Sequence, residues 1–107
     1  MAFYELRQYK VRPGCMEAWL DLIENTIIPG QTEAGFDITG SFRGEGDDST
    51  YVWIRRFASE EDRKRLYDAF YGTETWKSEL LPKVAELLDR EASVITRIVP
   101  TATSALQ

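Results

Sequence analysis

Residues Phe3 to Gly14 read FYELRQYKVRPG, and this stretch decides the fold. Its first eight residues are rich in aromatics and alternate, with Glu5, Arg7 and Tyr9 on one face and Tyr4, Leu6 and Gln8 on the other. That period of two marks a β-strand, and Pro13-Gly14 ends it. Beyond the turn, Met16, Trp19, Leu20, Ile23 and Ile27 recur at helical spacing, which predicts an amphipathic helix up to a break at Pro29-Gly30. FDITGSFR (Phe36 to Arg43) and TYVWIRRF (Thr50 to Phe57) alternate in the same way around the turn residues GEGDDS, giving a second strand, a hairpin loop and a third strand. Ser59 is a fitting N-cap with Asp62 three residues on, so a helix is expected to about Tyr71, closed by Gly72. Thr73 can cap a further helical stretch carrying Trp76, Leu80, Val84, Leu87 and Leu88, with Pro82 a kink or a first turn. The β-branched run Ser93 to Val99 is the fourth strand, and Pro100 stops it.

The order β-α-β-β-α-β fits an α+β, ferredoxin-like domain over residues 1–100, a four-stranded antiparallel sheet with helices on one face. Residues 101–107 form a tail, either disordered or laid across a neighbour. A chain of 107 residues has room for one core. If Leu6, Val52 and Ile54 face the helices, the other sheet face carries Phe3, Glu5, Arg7, Tyr9, Tyr51, Trp53, Arg55 and Phe57. Such a face is too aromatic to lie bare, so a second subunit is expected to cover it.

Composition narrows the function. With 43% hydrophobic and 29% charged residues the chain has the balance of a globular domain. A net charge of −5 argues against sequence-independent binding to nucleic acid or to anionic membranes. The cluster Arg63, Lys64 and Arg65 follows Glu60, Glu61 and Asp62, which reads as a solvated helix start. No apolar run approaches the roughly 20 residues of a membrane span, and no charged and apolar leader precedes Phe3, so a cytoplasmic location is expected. Cys15 is the sole cysteine and reads as an incidental thiol, and histidine is absent, which excludes Ser-His and Cys-His nucleophilic catalysis. Asp47 and Asp48 fit turn chemistry better than a calcium loop. Neither a metal nor a cofactor is expected.

The segment FYELRQYKVRPGCMEAW resembles the NIPSNAP pattern, a strand Y-E-L-R-x-Y followed by P-G and a helix. YVWIRRFASEEDR and DAFYGTETWK are similar to bacterial members of that family, in the same order. The resemblance implies a dimeric α/β barrel, two ferredoxin-like subunits packed sheet to sheet. That architecture serves cofactor-free monooxygenases, heme-degrading enzymes, small isomerases and non-catalytic binders, so it does not settle function. Many NIPSNAP relatives carry His-x-Trp in the third strand, where this chain places Trp53 and Arg55, so any role of that histidine has no counterpart here. The organelle signalling of eukaryotic members is tied to a transit segment that this sequence does not show.

Glu5, Arg7 and Arg55 are the candidate catalytic residues. They form either a satisfied ion cluster or an arginine fork awaiting a carboxylate or enolate oxygen, with Glu5 as acid or base. Arg7, Tyr9, Trp53, Arg55 and Phe57 are the candidate ligand-binding residues, the aromatics being either a wall for a flat ligand or interface core. Trp76 and Tyr71 are expected to be packing anchors. The leading expectation is a homodimer binding a small aromatic or polycyclic anion, with cofactor-independent oxygenation or isomerisation as its chemistry if it is an enzyme. The alternative is a non-catalytic dimer that binds a ligand or a partner protein.

Overall fold

In the computed structural model, which describes residues 1–107, strand β1 (Phe3–Val11) leads into a helical run over residues 16–34. Strands β2 (Asp37–Arg43) and β3 (Thr50–Phe57) form the hairpin. A helix, α3 (Glu60–Tyr71), a helical run over residues 76–87 and β4 (Leu88–Ile98) complete the chain. The sheet order β2-β3-β1-β4, with every neighbouring pair antiparallel, is the ferredoxin-like arrangement expected from the sequence.

Neither proline breaks its helix. The run 16–34 comprises α1 (Met16–Leu22), a π-helical turn (Ile23–Ile27) and α2 (Ile28–Ala34), with Pro29 in the first turn of α2. Proline supplies no N–H to the carbonyl four residues back, here that of Asn25, and its ring crowds that carbonyl. Widening the preceding turn relieves the clash and lets the helix continue, so the break expected at Pro29-Gly30 does not occur. Pro82 repeats the device: a π-helical turn (Trp76–Leu80) precedes α4 (Leu81–Leu87). The first run ends at Gly35, whose φ of 110° suits a residue without a side chain, and a Cβ there would stand 3.2 Å from Leu66 Cδ2. Gly35→Ala is expected to cost about 1 kcal/mol, read from denaturant unfolding; an unchanged midpoint would mean that the cap relaxes freely.

The sheet faces are the reverse of the sequence reading. Tyr51, Trp53, Arg55 and Phe57 are all buried and alternate with half-buried Val52, Ile54 and Arg56, so the aromatic face of β3 lies under the helices. Pairing of Glu5 with Arg55 and of Arg7 with Trp53 puts Phe3, Glu5, Arg7 and Tyr9 on the same covered face. The alternation fixed which residues travel together but not which set met the helices, since aromatic and aliphatic sets are both able to form a core. Trp53, Tyr51, Trp19 and Ile23 belong to one apolar cluster, and Phe3, Phe36, Phe57 and Leu66 form a second. Arg55 alternates between Trp53 and Phe57 and so sits where the two clusters meet.

Two irregularities shape the edges. Thr39 is an extra residue between Ile38, opposite Arg55, and Gly40, opposite Ile54, so Ile38 and Phe42 fall on different faces instead of sharing one. Strand β4 begins at Leu88 rather than Ser93, and its pairing jumps from Lys10–Asp89 to Gln8–Val94. Residues 90–93 therefore bulge opposite Tyr9 alone. The tail is laid on its own sheet: the Tyr4 hydroxyl and Arg56 Nε donate to the Gln107 carbonyl at 3.2 and 2.8 Å. No helix is long and apolar enough to cross a membrane.

Candidate functional site

Glu5 is the centre of the covered face, 2% exposed. Its Oε1 accepts from Arg55 at 2.9 Å and from the Tyr67 hydroxyl at 2.5 Å, and its Oε2 accepts from Arg63 Nε at 2.7 Å. Arg7 stands 3.8 Å away. Burial pushes the Glu5 carboxyl upward, but the Tyr67 and Arg63 hydrogen bonds and the Arg55 charge outweigh it and hold it below its ordinary value. Arg63 is thus a member of a buried network through its head group, not simply part of a solvated helix start.

Arg55 has no exposure at all and spreads its donors over the helices. One terminal nitrogen donates to Gln31 Oε1 and to the Tyr71 hydroxyl, each at 2.9 Å, and the other donates to Tyr67 at 2.6 Å as well as to Glu5. Its Nε has no acceptor, and its Cζ lies 4.6 Å from the Trp53 ring centroid and 5.1 Å from that of Phe36. Gln31, also without exposure, is held at this point because the first helical run continues past Pro29.

Beside this network lies a cavity of about 290 Å³ walled by Arg7, Tyr9, Tyr67, Tyr71, Trp76 and, from the β4 bulge, Arg90. No carboxylate lines it. Arg7 Nε donates to the Tyr9 hydroxyl at 2.7 Å and one terminal nitrogen reaches Tyr67 at 3.3 Å. Burial opposes the charge of Arg7, but Tyr9 and Tyr67 outweigh it and raise its pKa, so it remains a cation. Burial pushes the Tyr67 hydroxyl up to about 12 against the opposing pull of Arg55, and it raises Tyr9 as well.

Of the candidates read from sequence, Glu5, Arg7 and Arg55 come together in one network, and Arg7 and Tyr9 also wall the cavity. Trp53 stands behind, donating its indole N–H to Tyr9 at 3.0 Å, and Phe57 packs in the second apolar cluster. Gln31, Arg63, Tyr67 and Tyr71 were missed as site residues. The signal for the last three was available: positions 63, 67 and 71 recur every four residues and present one face of α3. Gln31 had no such signal, because it follows an apparent helix break.

The NIPSNAP family model matches residues 4–104. Among solved structures, a NIPSNAP family protein from Agrobacterium tumefaciens superposes with a TM-score of 0.87 at 24% identity, covering 100% of both chains. A second NIPSNAP family protein of that organism, with unknown function, reaches 0.86 at 27% identity over 99% of this chain and 94% of its own. An uncharacterized NIPSNAP-like domain protein from Burkholderia xenovorans reaches 0.83 at 20% identity over 96% and 88%. No curated protein matches. With a family model spanning nearly the whole sequence and the same fold in members of that family, the chain belongs to the NIPSNAP family.

Proposed function

We propose that this protein binds a small aromatic anion in the cavity between its sheet and its helices, and that it works as a homodimer joined through the sheet face the helices leave open. The observation that carries the binding reading is a charge imbalance. Arg7, Arg55 and Arg63 surround the single carboxylate of Glu5, three positive charges against one negative. Glu60, which also pairs with Arg63, is matched in turn by Arg97, so the surplus survives one shell further out. Glu5 and Arg55 are buried and balance each other, so the surplus lies on half-buried Arg7 and Arg63; it favours an anion, and Arg7 is the member of the three that faces the open space.

The walls suit a flat partner. Tyr9, Tyr67, Tyr71 and Trp76 offer ring surface, and a volume of about 290 Å³ lies at the lower end of the ~300–1,000 Å³ typical of ligand pockets. One or two fused rings fit that space better than a larger polycycle. Binding is favoured over catalysis by the state of Glu5: both of its oxygens accept from cations or hydroxyls, so it is not free to take a proton from a ligand.

The test is a thermal-shift and calorimetric comparison of 2-naphthoate on wild type and on Arg7→Gln. Wild type is expected to gain melting temperature with ligand, and the variant to bind at least about tenfold more weakly, as for loss of one hydrogen-bonded charge. Wild type that shows no response at millimolar ligand would refute the binding reading.

A further inference from the structure

The three tyrosines of the cavity differ in one respect, visible only by counting donors. Arg55 has nothing but donors, so the Gln31 oxygen has to face it and the Gln31 amide nitrogen has to face Tyr71, to which it donates at 2.8 Å. The Tyr71 oxygen thereby accepts twice, from Gln31 and from Arg55. Tyr9 is in the same position, since Arg7 Nε and the Trp53 indole N–H are obligate donors and both point at its oxygen. Neither hydroxyl has an acceptor for its own proton within the chain. Tyr67 is the contrast: it accepts from Arg55 and Arg7 and donates to Glu5, so it is saturated.

We propose that the leftover protons of Tyr9 and Tyr71, with the free terminal N–H groups of Arg7, form a donor-only cradle for the oxyanion end of the ligand. The cradle selects anions that arrive already ionised, such as aromatic carboxylates, and rejects neutral isosteres that bring donors of their own. This inference rests on the anion-binding reading above and adds which groups recognise the charge and what they exclude. The physical reason for rejection is that an N–H placed against three donors leaves four polar groups unpaired, whereas a carboxylate satisfies all of them at once. Burial raises the Tyr9 pKa, so its proton stays in place as a donor at neutral pH. The arrangement is organised before the ligand enters, because the buried side chains of Gln31, Trp53 and Arg55 donate to the two hydroxyls and hold them.

Calorimetric titration of wild type, Tyr9→Phe and Tyr71→Phe with 2-naphthoate and 2-naphthamide decides the matter, with a melt of each variant to confirm folding. Wild type is expected to prefer the carboxylate about a hundredfold or more, and each Phe variant to lose about tenfold or more for the carboxylate with little change for the amide. Carboxylate binding that is equal in wild type and in both Phe variants would overturn the cradle while leaving the anion site standing. A wild type that ignores 2-naphthoate would overturn both. If Tyr71→Phe fails to fold, Tyr9→Phe carries the test, since its hydroxyl fixes no helix residue.

Discussion

Glu5→Gln is expected to destabilise the fold by about 3 kcal/mol at neutral pH, among the larger effects open to a single isosteric change in this chain. The substitution keeps the shape but removes the one negative charge that Arg7, Arg55 and Arg63 share. It also puts an N–H₂ where Glu5 now accepts from Arg63 or from Arg55 and Tyr67, so donor meets donor. For a domain of this size the melting temperature is expected to fall by about 10 °C or more. The pH dependence follows from the direction of the Glu5 shift. Its folded-state pKa lies below the ordinary 4.5, so its contribution is fully present above about pH 4.5 and fades as pH falls through the folded value. Urea unfolding of wild type and variant at pH 7 and again at successively lower pH should show a gap that narrows on acidification. A gap below about 0.5 kcal/mol at pH 7 would mean that water or a rearranged helix already compensates the cluster, leaving no charge surplus for an anion to meet.

The same cluster shows what the sequence carries and what it withholds. Alternation in FYELRQYK and TYVWIRRF correctly grouped Glu5, Arg7 and Tyr9 with Trp53 and Arg55, because a strand's period of two is a property of the backbone. Turn and cap chemistry placed the hairpin and the start of α3, where Ser59 accepts from the Asp62 N–H at 3.1 Å. Which face met the helices was a different kind of question, settled by tertiary packing. Leu6, Val52 and Ile54 look like core, yet burying Arg55 is possible only because Gln31, Tyr67 and Tyr71 on the helices supply its acceptors. Those partners lie at least 12 residues away in sequence, and nothing local announces them. Pro29 misled for a related reason: it is a breaker on local rules, but a widened π-helical turn absorbs it, and only packing of the run makes that worthwhile, whereas Pro82 falls in a first turn, one of the two places expected for it.

The reversed faces move the proposed dimer interface to a new set of residues and make a sharp contrast between two neighbours on β3. Val52 and Trp53 are adjacent in sequence and on opposite sides of the sheet. On the open side Val52 lies in a row with Phe42, Gln8 and Val94, of which Phe42 and Val94 are 56% and 55% exposed. Leu6, Ile54 and Ile98 continue the apolar surface toward the tail. A surface of this kind is unusual on a monomer, and a second copy of the same sheet would cover it, burying on the order of 1,600 Å² in total. Val52→Lys places a charge in that row and is expected to weaken self-association by about thirtyfold or more, the equivalent of a hot spot of about 2 kcal/mol. Its effect on the intrinsic fold should be small, because Val52 is only half-buried within the subunit. Trp53→Ala is expected to do the reverse. Its indole is 2% exposed in the core and bonded to Tyr9, so truncation should cost the fold about 3 to 5 kcal/mol. Sedimentation velocity across a concentration series, paired with urea unfolding at high dilution, separates the two. A wild type that sediments as a 12.3 kDa monomer, or a Val52→Lys variant that dimerises as wild type does, would mean that the open face is covered by something other than a second copy.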